Sequence, residues 1–336
     1  MRILVTGGAG FIGSHFVRHL LEHHDHEVVN LDALKYAGNL DNLRDMASHP
    51  RYRFIQGDIA DMAVVEQALA GVEAIVNFAA ETHVDRSLLD AGSFIQTDVY
   101  GTYTLLEAAR RRGIQRFHQV STDEVYGSVP EGSSVESDLL DPRSPYSASK
   151  AGGDLMVRAY YSTYGLPVVI TRGSNTFGPY QYPEKVIPVF VTNALEDKPL
   201  PLYGDGLNVR DWLYVADHCA AIDLVLHEGR PGEVYNVGGG YELPNIELTR
   251  AILRLLDKPE SLIKYVADRP GHDRRYSLDC AKLRALGWQP RHDFATALET
   301  TVRWYVENRW WWAKLKSGEY EEYYRQNYGH RMSESS

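Results

Sequence analysis

The sequence predicts an α/β protein: a doubly wound parallel sheet followed by a smaller C-terminal α/β lobe. Three observations carry this. A β-branched run at 2–6 passes directly into a glycine-rich turn and an amphipathic stretch over 11–23. Strand-like runs and helix-like spans then alternate to about residue 175, which is the mark of βαβ units whose sheet is covered on both faces. Past Gly178-Pro179-Tyr180 the alternation stops.

In chain order, the next strand-like runs are 27–32, ending in an acid, then 53–56, 74–78, 117–121 and 168–172. Helix-like spans lie between them at 63–69, 97–112 and 147–164. Beyond residue 178, Pro183, Pro188, Pro199 and Pro201 interrupt short segments and loops multiply. Residues 212–217 and 233–237 read as strands able to return to the main sheet. The expected organisation is a nucleotide-binding domain over 1–177 (segments near 205–240 returning to it), a second lobe over 178–331, and a disordered tail over 332–336.

The 336 residues exceed a usual single core. A net charge of −10 excludes a nucleic-acid binder, because no basic face is available to neutralise phosphates. Two distant cysteines, Cys219 and Cys280, fit a reducing compartment, so the expected location is cytoplasmic. The first residues superficially resemble a signal sequence, but their glycine pattern fits a strand and turn better. No run approaches the ~20 apolar residues that span a bilayer, so no membrane partner is expected.

Gly7, Gly10 and Gly13 follow the first predicted strand and open the first predicted helix. Gly7 permits a tight turn, Gly10 lets backbone approach a pyrophosphate, and Gly13 lets the helix close on the strand. The free N–H groups of the helix start, around Phe11 and Ile12, then face the phosphates. Asp32 ends the second strand, where a carboxylate accepts from ribose hydroxyls and repels a 2′-phosphate. That selects NAD over NADP. Asp58, after the third strand, either meets the adenine or caps a helix.

Tyr146 and Lys150 stand four apart, on one helix face. A nearby ammonium stabilises phenolate, allowing Tyr146 to act as a base below its ordinary value of ~10. Lys150 can also hold ribose hydroxyls. Ser121-Thr122 ends a predicted strand, with a hydroxyl able to orient a substrate alcohol.

These motifs resemble the extended short-chain dehydrogenase/reductases that act on nucleotide sugars, and most closely the dTDP-glucose 4,6-dehydratases. The matching stretches are 79–87, 120–127, 175–188, 204–214 and 268–276. The resemblance implies an NAD-dependent lyase on a Rossmann-type fold. Tyr146 takes the C4 hydroxyl proton as hydride leaves C4, Glu124 removes the C5 proton, and Asp123 protonates the departing C6 hydroxyl. Hydride then returns to C6. The acidic pair after Thr122 separates dehydratases from epimerases. Two adjacent carboxyls in a closed site repel as anions, so one is favoured to stay protonated.

The resemblance further implies cofactor contacts from Lys35, Ile59, Ala79, Ala80, Thr82 and Thr97. It implies substrate contacts from His83, Ser87, Asn175, Lys185, Val186, Pro201, Tyr203, Arg210, Asn245, Arg269, His272 and Tyr276. Arg210 and Arg269 suit a diphosphate. It also implies a homodimer through helices near 97–112 and 147–164. Two rivals remain, a nucleotide-sugar 4-epimerase (or a dehydratase for another NDP-glucose) and a non-catalytic NAD-binding regulator.

His15, His19 and His23, followed by His24 and His26, line one helix face and beyond. They are read as solvated or packed, with no metal expected, since no Cys or carboxylate nearby completes a site. Trp310-Trp311-Trp312 with Tyr305 is expected to pack the C-terminal helices on the body.

Overall fold

The computed structural model describes residues 1–333. Its first half runs β1 (Arg2–Thr6), α1 (Phe11–His23), β2 (Glu27–Asp32), β3 (Tyr52–Gln56), α2 (Met62–Ala68), β4 (Ala74–Asn77), α3 (Val84–Leu89), α4 (Ala91–Phe94), α5 (Thr102–Arg112), β5 (Arg116–Thr122), α6 (Pro145–Tyr164) and β6 (Val168–Gly173). The second half contains β7 (Asn175–Phe177), α7 (Val186–Leu195), β8 (Leu200–Tyr203), β9 (Val209–Tyr214), α8 (Val215–Glu228), β10 (Val234–Val237) and β11 (Glu242–Pro244). It ends with α9 (Asn245–Leu255), β12 (Ile263–Val266), α10 (Ala281–Ala285), α11 (Phe294–Glu307), α12 (Arg309–Leu315) and α13 (Glu319–Ser333).

Seven parallel strands make the main sheet in the order β10-β6-β5-β4-β1-β2-β3. The order reverses between β1 and β4, where a doubly wound sheet opens its crevice. One face is covered by α2, α5 and α6 over Leu4, Val29, Ile75 and Phe117. The other is covered by α1 and α8 over Ile3, Val5, Val28 and Val76. A separate core around Phe190, Leu248, Leu298 and Trp312 fills the second lobe.

Three expectations are corrected. Of the two returning segments, 233–237 joins the main sheet as β10, but 212–217 does not. Its first residues belong to β9, which pairs with β7 and β11, and from Val215 the chain is already α8. Alternating apolar residues show that a strand exists, not which sheet receives it. The span 97–112 is not one uniform helix: Ile95–Gly101 is wound as a π-helix before α5 begins. Close packing accompanies the wider turn, since a Cβ at Gly101 would lie 2.6 Å from Ile59 and one at Gly153 would lie 2.8 Å from the Asp98 carbonyl. The expected disordered tail begins at Met332, whereas α13 runs to Ser333; residues 334–336 lie outside the described residues.

Trp311 and Trp312 are fully buried, bonded to Asn42 and to the Tyr305 carbonyl respectively, while Trp310 is half exposed. The tryptophans therefore lock α12 to both lobes, as expected. Cys219 and Cys280 are buried and free. Among the described residues no helix is long and apolar enough to cross a membrane.

Candidate active site

The turn after β1 has the shape its glycines require. Gly7 sits at φ +66°, and a Cβ there would lie 2.7 Å from the Ala79 nitrogen. A Cβ on Gly13 would lie 2.3 Å from the Gly7 carbonyl oxygen, so only glycine lets α1 close on the turn. Gly10 precedes α1 with no side-chain cap, leaving the first N–H groups of the helix aimed at the crevice for an anionic ligand. Asp32 is buried; its two oxygens accept from the Ala9 and Leu34 N–H groups at 2.9 and 2.8 Å, and burial raises its pKa. Each oxygen keeps a lone pair for a hydroxyl donor.

One cleft runs from this turn along the ends of the strands. Gly7, Gly10, Phe11, Ile12, Gly13, Asp32, Lys35, Asp58, Ile59, Ala79, Ala80, Thr82, Thr97 and Ser121 line its first part, and Thr122, Asp123, Glu124, Tyr146, Lys150, Asn175 and Lys185 line the rest. Lys35 stands 3.0 Å from the Thr97 hydroxyl, 3.3 Å from Glu81 and 3.4 Å from Asp58. Burial works against its charge, but the two carboxylates outweigh it and raise its pKa. The Ser121 hydroxyl is buried without a partner. A glycine cradle, an uncapped helix start, a strand-end acid and an unsatisfied hydroxyl together fit a dinucleotide.

The reacting groups come from β5 and α6. Thr122 ends β5, and its hydroxyl donates to Asp123 at 3.2 Å. A one-turn helix over Asp123–Tyr126 then turns both acids toward the cleft. Asp123 is buried, and one of its oxygens has no partner. Burial, then Glu124, then Asp211 push its pKa well above the ordinary range. Burial also raises Glu124, but Arg269, Lys185 and Arg210 pull against the shift. The two adjacent carboxyls are thus driven apart, with Asp123 the more firmly protonated.

Tyr146 departs from expectation. Its phenol bonds with Thr122, yet burial and the carboxyls of Glu124, Asp98 and Asp123 raise its pKa well above 10.0. The Lys150 ammonium donates to the Val120 carbonyl at 2.9 Å, and its field is felt at Asp98. Helical spacing put the two side chains on one face; it did not show that burial, and after it the carboxyls of Glu124, Asp98 and Asp123, would set the phenol's pKa.

Most of the remaining candidates gather beyond the acids. Arg210 is buried, donates to the Val209 and Asp273 carbonyls, and lies 4.3 Å over the Tyr276 ring. Tyr276 donates to Asp273 at 2.8 Å. Arg269 pairs with Asp85 at 2.9 Å. Asp85 also accepts from Tyr203 at 2.9 Å, and Tyr203 meets the His272 ring edge-on. His272 bonds Asp268 at 2.6 Å, with burial lowering its pKa to about 4. His83 is bonded to the Tyr323 hydroxyl at 3.0 Å. Asn175 and Asn245 each bury an unpaired carbonyl oxygen.

Ser87 donates its hydroxyl to the Val84 carbonyl inside α3. It does not line the cleft, nor do His83, Val186, Pro201, Tyr203, Arg210, Asn245, Arg269, His272 and Tyr276. Sequence reasoning missed Tyr36, Glu81, Ser174, Gln181, Tyr182 and His218, which do. Only Glu81 and Gln181 with Tyr182 lay within stretches quoted for the resemblance. The missing Cβ of Gly173 leaves room for the buried His218 ring, which lies 2.6 Å from where that atom would be. The histidines of α1 also need correcting: Asp223 of α8 supplies the carboxylate that the local sequence lacks.

A family model described as GDP-mannose 4,6 dehydratase matches residues 4–301. The chain belongs to the GDP-mannose 4,6-dehydratase family. Within and around that family it is 54% identical over 323 residues to the dTDP-glucose 4,6-dehydratase of Streptomyces niveus, covering 94% of this chain and 96% of that one. The crystal structure of DesIV, a dTDP-glucose 4,6-dehydratase from Streptomyces venezuelae solved with NAD bound, superposes with a TM-score of 0.93 at 57% identity, covering 94% and 100%. The NAD complex of the UDP-glucose 4-epimerase from Thermus thermophilus shares the fold at a TM-score of 0.85 but only 34% identity, covering 92% and 100%.

Proposed function

We propose that this family member is an NAD-dependent dTDP-glucose 4,6-dehydratase, a hydro-lyase that converts dTDP-glucose to dTDP-4-keto-6-deoxyglucose. The observation that carries the reading is the Asp123–Glu124 pair beside Tyr146. A 4-epimerase needs no acid–base pair at C5 and C6, and a non-catalytic binder needs none of the three groups.

NAD, when bound, accepts hydride from C4 of the sugar and later returns it to C6. Gly7, Gly10, Gly13 and the start of α1 hold its pyrophosphate, Asp32 its adenosine ribose, and Lys150 with Ser121 the nicotinamide end. Thr122 orients the C4 hydroxyl and Tyr146 takes its proton. To accept it Tyr146 must stand as phenolate; burial and the nearby carboxyls oppose that form, which the Lys150 ammonium and the positive charge of NAD, when bound, would favour.

Oxidation at C4 acidifies the C5 proton, which Glu124 removes. Its carboxyl is basic enough from burial, while Lys185, Arg210 and Arg269 keep the anion accessible. Asp123, held protonated by burial beside Glu124, gives its proton to the C6 oxygen as water leaves. Glu124 then returns a proton to C5, and exchange with solvent removes the proton gained by Tyr146 and restores the one Asp123 gave up, so every group ends as it began. Arg210 and Arg269 grip the diphosphate, and Asn175, Lys185, His83, His272, Tyr276 and Asn245 surround the rest of the nucleotide sugar.

Residues 1–177 with α8 and β10 constitute the cofactor lobe and the rest of 178–331 the substrate lobe. The π-helix with α5, together with α6, presents Ile95, Tyr100, Tyr103, Leu155, Tyr161 and Tyr164 to solvent, an apolar face suited to a homodimer. Two free buried cysteines fit a cytoplasmic setting.

The test is incubation with dTDP-, UDP-, CDP- and GDP-glucose, read by mass spectrometry. A dehydratase product lacks one water, whereas an epimerase product keeps its mass. In heavy water the product must carry deuterium at C5. Its absence would refute the roles assigned to Glu124 and Asp123.

A further inference from the structure

Where α1 packs on α8, imidazoles from both helices and from the turn into β2 surround one carboxylate. Asp223 Oδ2 lies 3.1 Å from His19 Nε2 and 2.9 Å from His24 Nε2. Its Oδ1 lies 3.1 Å from His227 Nδ1, but that ring nitrogen bonds the Asp223 main-chain carbonyl at 2.9 Å. Oδ1 is left buried without a properly aligned donor. His227 Nε2 faces His26 Nε2 at 3.1 Å, and the His24 ring stacks on His26 at 4.8 Å and on His227 at 5.0 Å. Two overlapping trios bring one donor atom per residue within 4.8 Å of each other: His19, His24 and Asp223, and His24, His26 and His227.

We propose that this cluster is a binding site for one divalent transition-metal ion of the zinc class, seated at His24, with Asp223 and the neighbouring imidazoles completing its coordination. The donor set decides the class. Several imidazoles with one carboxylate suit zinc, cobalt, nickel or copper, whereas magnesium and calcium seek oxygen. The spacing fits as well. Metal–nitrogen bonds of ~2.0–2.1 Å around a tetrahedral ion put neighbouring donors about 3.3 Å apart, so the contacts of 2.9–3.1 Å need slight widening, and the wider pairs, all within 4.8 Å inside each trio, close by side-chain rotation.

With His227 Nδ1 committed to a carbonyl, Nε2 is the nitrogen left to bind, a carbonyl–histidine–metal arrangement that orients the ring. None of these residues lines the cleft. The ion therefore acts as a staple between α1, which carries the glycine turn at its start, and α8, which carries His218.

The experiment uses untagged full-length protein stripped with a chelator. Equilibrium dialysis against Zn²⁺ should load about one ion per chain, Co²⁺ should give a visible d–d absorption, and Mg²⁺ should neither bind nor compete. Zn²⁺ should raise the melting temperature by mass action, while chelation leaves dehydratase turnover unchanged. His24→Ala and Asp223→Asn should each weaken Zn²⁺ at least about tenfold, the scale seen when metal-orienting groups are lost, and remain folded by circular dichroism. Wild-type protein that takes up no saturable Zn²⁺, or variants that bind it as tightly, would overturn the proposal. The Co²⁺ spectrum of the wild type tests it even if a variant fails to fold.

Discussion

Asp123 and Glu124 are neighbours in the chain, yet their carboxyls meet different fields. Asp123 faces Glu124 and Asp211 with only Arg210 among the leading opposing charges, while Glu124 faces three cations. Asp123→Asn should therefore lower turnover about 10²–10⁴-fold, the usual contribution of a positioned proton donor. C4 oxidation, read as absorbance of reduced cofactor, should persist in that variant. The same residue predicts a pH effect on stability. A carboxyl whose folded pKa is raised binds its proton more tightly in the native state, so its stabilising effect is lost as pH rises toward the folded pKa. Asp123→Asn should thus raise the melting temperature more at pH 8 than at pH 5. Equal effects at both pH values would count against a buried, protonated Asp123. Tyr146→Phe should retain NAD binding, measured by titration, while losing C4 oxidation by a comparable factor.

At the scale of elements, α1 and α6 hold the two halves of the site. Gly13→Ala would push α1 off the turn, because the added carbon meets backbone at 2.3 Å. Overpacking of this kind costs about 1–3 kcal/mol, and NAD affinity should fall with it. Gly113→Ala at the end of α5 meets no atom within 4 Å and should cost only the strain of its left-handed backbone, about 1–2 kcal/mol, with NAD affinity intact. Comparing calorimetric NAD affinities of the two variants separates cradle from cap. α6 is anchored by Asp154, which pairs with Arg172 of β6 at 2.9 Å with both side chains buried. Arg172 continues to Tyr126, and Tyr126 to Asn236 of β10. Asp154→Ala leaves a buried guanidinium without its carboxylate and should cost about 3–5 kcal/mol, read from urea unfolding.

For the whole molecule, the exposed apolar face over the π-helix and α6 is the surface to test. Leu155 is 53% exposed and Tyr164 56%, and neither lines the cleft. Leu155→Arg should halve the mass seen by analytical ultracentrifugation if that face pairs two copies, with each chain remaining folded. An unchanged sedimentation coefficient would move the interface elsewhere or leave the chain monomeric.

The glycine turn, Asp32, the Tyr146–Lys150 pair and the first six main-sheet strands were legible in the chain. Each depends on local conformation or on a periodicity of 2 or 3.6 residues, which adjacent residues dictate. The sheet that β9 joins, the widened turn at Ile95–Gly101, the raised pKa of Tyr146 and the carboxylate among the histidines were decided only by tertiary structure. In each of these, the deciding partner stands far along the chain. Asp223 is 199 residues from His24, and the balance of charge at a buried phenol depends on every group that folding brings near it, not on the one lysine a helical turn away.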